Sequence, residues 1–277
     1  MIVCTDLDRT LIYSADALDL RVPDAEAPRL RCVEVYRGAP LSYLTEAAAE
    51  LLRDLRTRTV VVPVTTRTPE QLARVRLPGG PPRFAIASNG GHLLVDGVPD
   101  QEWTTKVTAR LAACAPLADV AAHLQATAGP IAASLRTASG LFAYAVADRT
   151  ALPKGWIDAF AAWCAPRGWT VSLQGRKVYA MPRPLTKAAA AAELRDRLGG
   201  GPLFAAGDSL LDADLLDIAD AAIRPAHGEL AEAGFTRDHL TVTVTTGVRA
   251  GQEMLAWMHA RVTDEERTTP SWRCGTS

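Results

Sequence analysis

The chain has 277 residues, a formal net charge of −1, 48% hydrophobic and 22% charged residues. That is the make-up of an ordinary globular protein with enough chain to bury a sizeable core, in one large domain or two modest ones. It gives no global pull toward nucleic acid or an anionic membrane, and five scattered cysteines without a C-x-x-C pair argue against a disulfide framework or a structural zinc site and fit a reducing compartment.

The opening MIVC lacks a basic leader and runs straight into charges, and no apolar run is long enough to span a bilayer. The expected setting is therefore cytoplasmic, without membrane attachment. A first strand is expected over Met1 to Thr5, ending in Asp6 and Asp8. These two side chains share one parity on an extended chain. The segment 14–40 has no clear period and reads as a long flap or an irregular hairpin. TEAAAELLRDLRTR is a helix that Thr45 can cap, with Leu51, Leu52 and Leu55 as its apolar stripe. TVVVPVTTRT is a buried strand with Pro63 near its end, PEQLARVRL a short helix opened by Pro69, PPRFAIASNGG a third strand, and HLLVDGVPD a hairpin around Asp-Gly.

The rhythm then changes. Thr104 to about Thr127 is Ala-rich and helical, IAASLRTASGLFAYAVAD reads as two strands about a Ser-Gly turn, LPKGWIDAFAAWCAPRG as a helix ended by Gly168, and WTVSLQGRKVYAMP as two strands around Gly175. This α-β-β-α-β-β order suits an antiparallel sheet with helices on one face. Afterwards LTKAAAAAELRDRLG, GPLFAAGDSLLDADLLDIAD and the following β-α units restore the alternating pattern, and the chain past about Thr263 is polar and expected to fray. The expected fold is α/β: a Rossmann-like parallel-sheet core over 1–100 and 183–262, an α+β cap over 101–182, and a flexible tail over 263–277. Ligands of such sheets bind at the carboxyl ends of the strands.

A lone D-x-D is weak, since acids commonly end strands. Three further features fall at the same expected sheet end: Thr65 and Thr66 after the second strand, Lys187 at a helix start behind Thr186, and Asp208 and Asp212 after another buried strand. A carboxylate can attack phosphorus and split a hard hydrolysis into two easier steps. Two anions repel, so such a site calls for a cation, and Mg²⁺ suits one or two carboxylates completed by phosphate and water.

The order D-L-D-R-T, Thr65, Lys187 and G-D-S-L-L-D resembles the four motifs of haloacid dehalogenase superfamily phosphatases. The insert between the second and third motifs is similar to the compact type-two cap of the Cof-like branch, and ASNGG to the turn before it. The resemblance implies a Mg²⁺-dependent phosphomonoesterase acting on a small phosphorylated metabolite. It makes Asp6 the nucleophile and a metal ligand. Asp8 becomes the acid and then the base, its carbonyl on the metal; Asp208 is the second metal carboxylate, and Asp212 supports the metal's water shell. Lys187 neutralises the phosphoryl oxygens and the Asp6 carboxylate, and the Thr65 hydroxyl donates to a phosphoryl oxygen. Thr66, Arg67, Asn89 and Arg176 are candidate substrate contacts, with Asn89 equally readable as a turn residue. Arg9 stands where many members carry Gly, and Leu211 where Cof-like members carry Asn.

In the resembled family the cap selects the leaving group. Arg136, Arg176, Lys177 and Tyr179 are the cap's candidates, against a plain solvated basic face; Trp156, Trp163 and Trp169 read as core. The cap is similar in architecture to those of sugar-phosphate phosphatases, which makes a sugar phosphate the expected class. A phosphohexomutase or a non-catalytic phospholigand binder are the alternatives.

Overall fold

The computed structural model describes residues 1–128 and 131–268. Its centre is a five-stranded parallel sheet. Strand β1 (Ile2–Thr5) carries four consecutive buried residues, as a strand covered on both faces must. Next come the antiparallel hairpin β2 (Leu30–Tyr36) and β3 (Ala39–Thr45), then α1 (Glu46–Arg58) and β4 (Val60–Pro63). Thr45 caps α1, accepting from the Ala48 N–H at 3.0 Å. Of the region expected as a long flap or an irregular hairpin, 14–29 carries only two short helical turns and the part from Leu30 on is a hairpin with an irregular register. It is fastened by the bridges Tyr13–Tyr43 and Glu34–Val75. A single helical turn, α2 (Pro69–Leu72), is held by a Thr68–Gln71 capping box. Strands β5 (Phe84–Ala87), β6 (His92–Val95) and β7 (Val98–Pro99) form an antiparallel extension.

The insert opens with α3 (Gln101–Leu111) and α4 (Leu117–Ala128). The one helix expected over 104–127 is therefore two. Pro116 is the cause: it has no N–H to donate and disfavours helical geometry in Ala115 before it. Strands β8 (Ala132–Ala138) and β9 (Phe142–Ala147), helix α5 (Trp156–Cys164), and strands β10 (Trp169–Gln174) and β11 (Lys177–Pro182) follow. They make an antiparallel sheet in the order β10-β11-β9-β8. Along β9 the alternate residues Ala143, Ala145 and Ala147 are small, which lets helices pack closely on that face. Phe142, Tyr144 and Val146 line the opposite face, toward the core.

The chain returns through α6 (Lys187–Arg197), β12 (Leu203–Ala206), α7 (Ala213–Asp217), β13 (Ala221–Arg224), α8 (Glu229–Glu232), β14 (Leu240–Val242) and α9 (Gly247–Thr268). The sheet order is β14-β13-β12-β1-β4, with all pairings parallel. Alternation divides its side chains between two apolar layers: Ile2, Cys4, Leu203 and Ala205 on one face, Val3, Phe204, Ala206 and Ile223 on the other. Helix α9 runs on to Thr268, so the segment expected to fray from 263 is helical that far; 269–277 lie outside the described residues. Among the described residues no helix is long and apolar enough to cross a membrane.

Candidate active site

The carboxyl ends of β1, β4 and β12 meet where the chain order reverses around β1, the point at which open parallel sheets leave a crevice. Asp6 follows β1 directly, its N–H donating to the Ala206 carbonyl at 2.9 Å. Lys187 is the first residue of α6, which Thr186 caps through the Ala189 N–H. Its ammonium is 1% exposed and donates to Asp6 Oδ1 at 2.6 Å and to Asp212 Oδ1 at 2.5 Å. A buried lysine is tolerated only when paired in this way. Burial pulls its pKa down, but Asp212 and Asp6 outweigh that and raise it.

The other oxygen of Asp212 accepts from the Asp208 N–H, the Ser209 N–H and the Ser209 hydroxyl at 3.2, 2.9 and 2.8 Å. Asp212 therefore folds the 207–212 turn and anchors Lys187 at once. Only glycine fits at Gly207, since a Cβ there would sit 2.4 Å from that of Asp212. Leu211, in place of the polar residue the resemblance expects, packs against the apolar core. Asp208 is left with weaker company: the Thr10 hydroxyl at 3.4 Å and Arg9 Nε at 3.7 Å. Arg9 sits at φ 63°, the left-handed geometry that explains a Gly preference there.

Carboxylate oxygens of Asp6, Asp208 and Asp212 lie within 4.8 Å of one another. Burial, against the pull of Lys187, pushes Asp6 up to about 7. Burial and the neighbouring Asp6 and Asp212 charges push Asp208 well above the ordinary carboxylate value. Three crowded acids sharing one lysine are short of positive charge. The donor set is oxygen only, which fits a hard divalent cation such as Mg²⁺.

Asp8 lies on the open side, half-exposed, and is gripped by a fork: Arg67 Nε and Nη2 donate to its two oxygens at 2.8 and 2.7 Å. Burial in the pocket pushes the Asp8 carboxyl up, yet the Arg67 hydrogen bonds and charge, with Lys177 and Lys187, hold it below the ordinary value. Arg67 also donates from Nη1 to Glu34 at 2.8 Å. Thr65 is fully buried, its hydroxyl accepting from the Arg67 N–H at 3.1 Å.

Above these residues lies a cavity of about 730 Å³, walled by the core, the β2–β3 hairpin and the cap. Asp6, Asp8, Thr66, Arg67, Arg176 and Asp208 all line it. Tyr179, from the cap, lines the cavity together with Thr66 and Lys177, so core and cap side chains face the same space. Phe142 and Tyr144 add an aromatic wall, and Lys177 lies 5.7 Å from the Tyr144 ring centre. Gln174 reaches across to the Ser209 hydroxyl at 3.2 Å.

Thr65, fully buried, does not line the cavity, and two further candidates fall elsewhere. Asn89 is buried in a left-handed turn and donates to the Leu185 carbonyl at 2.8 Å, so it joins the core to the start of α6 and does not line the cavity. Arg136 is exposed and likewise outside it. Trp156 and Trp163 stack on Phe160 and His123 inside the cap, as core residues do. Sequence reading missed Glu34 and Glu229. Glu34 stood in a segment without period. Glu229 opens α8 and accepts from the Leu210 N–H at 3.4 Å, with burial pushing it up to about 7.

No protein-family model matches the chain, and no curated protein does. Solved structures do. The sucrose-phosphatase from Synechocystis sp. PCC6803, in complex with sucrose and phosphate, aligns over 93% of this chain and 97% of its own, with a TM-score of 0.61 at 16% identity. A subclass IIB sugar phosphatase of the haloacid dehalogenase superfamily gives 0.56 at 11% identity, covering 94% and 99%. A trehalose-6-phosphate phosphatase related protein gives 0.54 at 16%, covering 96% and 100%. The architecture is thus the fold of haloacid dehalogenase superfamily phosphatases, a parallel-sheet core with an inserted α+β cap. Among those neighbours are proteins described as sugar phosphatases.

Proposed function

We propose that this protein is a Mg²⁺-dependent phosphomonoester hydrolase working through an aspartyl-phosphate on Asp6. The observation that carries the proposal is the buried Asp6–Lys187–Asp212 chain beside Asp208, set at the strand ends of a phosphatase fold. Asp6, Asp208 and the turn held by Asp212 would hold the ion, which when bound supplies positive charge to phosphoryl oxygens. Lys187 keeps one Asp6 oxygen occupied, leaving the other free to attack. Attack forms a bond between that oxygen and phosphorus and expels the leaving alcohol. Asp8 gives that alcohol its proton, then takes one from the water that cleaves the acyl phosphate. Ionised beside Arg67, Asp8 is ready for the second step. A phosphate dianion arriving beside it raises its proton affinity for the first.

The cavity supports a small ester as substrate. Its size and its aromatic wall of Phe142, Tyr144 and Tyr179 suit the apolar face of a sugar, and Lys177 and Arg176 offer donors to hydroxyls or a second anion. A sugar phosphate is accordingly the substrate class we favour, in the likeness of the neighbours described above.

Phosphate release from a panel of phosphorylated sugars, nucleotides and an aryl phosphate, with Mg²⁺ and with chelator, tests this. Release should require Mg²⁺ and favour sugar esters. Turnover undiminished in chelator would overturn the metal assignment. A bisphosphate requirement with sugar-to-sugar transfer would identify a mutase, and absence of any release a binding protein.

A further inference from the structure

Strand β2 contains an irregularity at one residue. Its pairing with β3 slips between Cys32 and Glu34 and again between Glu34 and Val35. In a regular strand, neighbours point to opposite faces; here Val33 and Glu34 are both buried, at 2% and 1% exposure, while Val35 is 56% exposed. A bulge of this kind re-aims a side chain, and bulges concentrate near active sites. What it aims inward is a carboxylate, the group most costly to bury without partners. Glu34 is fully supplied: Arg67 Nη1 at 2.8 Å and the Ser42 hydroxyl at 2.8 Å on one oxygen, Arg74 Nε at 3.2 Å on the other.

Resting on the phosphatase reading above, we propose that Glu34 is a positioning residue for the general acid, acting on Asp8 through Arg67. The geometry is a relay. Glu34 takes one guanidinium nitrogen, which fixes the plane and rotation of Arg67. The remaining edge then meets both Asp8 oxygens as a fork. Arg67 is 13% exposed and Asp8 51%, so the relay runs from the buried interior to a solvent-facing acid. The hairpin that carries Glu34 is itself anchored, since the Arg76 N–H donates to the Val33 carbonyl at 2.7 Å. Glu34 also lines the cavity wall with Leu41, so the hairpin is a third part of the site beside core and cap.

A positioning role for the acid has a signature that loss of fold does not share. A poor alkyl leaving group needs its proton, whereas a 2,4-dinitrophenolate leaves without one. The ratio kcat/KM reports steps through leaving-group departure only, so it isolates that need. Glu34→Gln keeps the shape and removes the charge that holds Arg67. We measure kcat/KM with Mg²⁺ for an alkyl phosphate and for 2,4-dinitrophenyl phosphate, in the parent, Glu34→Gln and Ser42→Ala, with melting curves for each. The expected result is a fall of about 10- to 100-fold on the alkyl ester and under about threefold on the aryl ester. Ser42→Ala, a gentler change at the same Glu34 oxygen, should move the ratio in the same direction. Val35→Ser, on the outer face of the same strand, should not move it. Equal losses on both esters, or no loss on either, in the folded variants would overturn the proposal. A parent without Mg²⁺-dependent release on either ester would instead overturn the phosphatase reading, and the relay with it.

Discussion

At the scale of single residues, the arrangement around Lys187 explains how a lysine and three acids share a dry strand end. Each oxygen of Asp212 has a fixed task, and Asp6 keeps one oxygen unengaged by Lys187. Glu34 offers a test of charge that is independent of turnover. Burial pushes its carboxyl up, but Arg67, Ser42 and Arg74 outweigh that and hold it below the ordinary value near 4.5. As pH falls, the unfolded chain takes the proton first. The stability that ionised Glu34 contributes is therefore complete above about pH 4.5 and is lost as pH drops below it toward the folded value. Glu34→Gln lacks that titration and leaves two arginines short of a partner at every pH. Its melting temperature should lie below the parent's at pH 7, with the gap narrowing as pH falls below about 4.5. Parallel curves across that range would contradict the account of Glu34.

Among the elements, the start of α6 is the joint on which the site depends. Gly90 lies at φ 93°, and a Cβ there would come 2.0 Å from the Thr186 carbonyl, the residue that caps α6 and precedes Lys187. Trp103 of the cap donates its indole N–H to the Gly90 carbonyl at 2.8 Å, so core, cap and the start of α6 meet at one glycine. Gly90→Ala should lower stability by about 1–3 kcal/mol and the melting temperature by about 2–10 °C, read by calorimetry. An unchanged melting curve would mean that α6 can move away without cost.

Much of this was legible in the sequence, and for a physical reason. Asp6, Asp8, Lys187 and Asp208 stand directly at strand or helix ends, where local pattern fixes position. The α-β-β-α-β-β order of the insert pointed to the antiparallel cap sheet that the structure has. Pro116 escaped notice because the Ala-rich stretch around it keeps a helical look on both sides. Glu34 was not legible: a bulge breaks the period of two, so the pattern that places other residues fails at the one the bulge re-aims. Asn89 was half legible, its turn geometry read correctly as one option and its partner, the Leu185 carbonyl, set by distant chain.

For the whole molecule, core and cap bury one continuous apolar cluster, in which Ile86 and Leu93 of the core join Trp103, Phe142 and Tyr179 of the cap. Cap residues Phe142, Tyr144, Lys177 and Tyr179 thus wall the same cavity as Asp6 and Asp8. On the proposed reading, Asp6, Asp208 and Asp212 hold Mg²⁺ only in the folded protein. Millimolar Mg²⁺ should raise the melting temperature, and chelator should reverse the rise. Identical melting with and without the ion would contradict a divalent site among Asp6, Asp208 and Asp212.

The central claim is that Asp6 attacks phosphorus. Asp6→Asn keeps the shape and leaves Lys187 paired with Asp212, so the fold should survive and melting curves check that it does. Phosphate release from a small aryl phosphate in Mg²⁺ is then measured for both proteins side by side. The parent should turn over, and Asp6→Asn should fall by at least about a thousandfold, to background. Turnover by folded Asp6→Asn within about tenfold of the parent would contradict the covalent route.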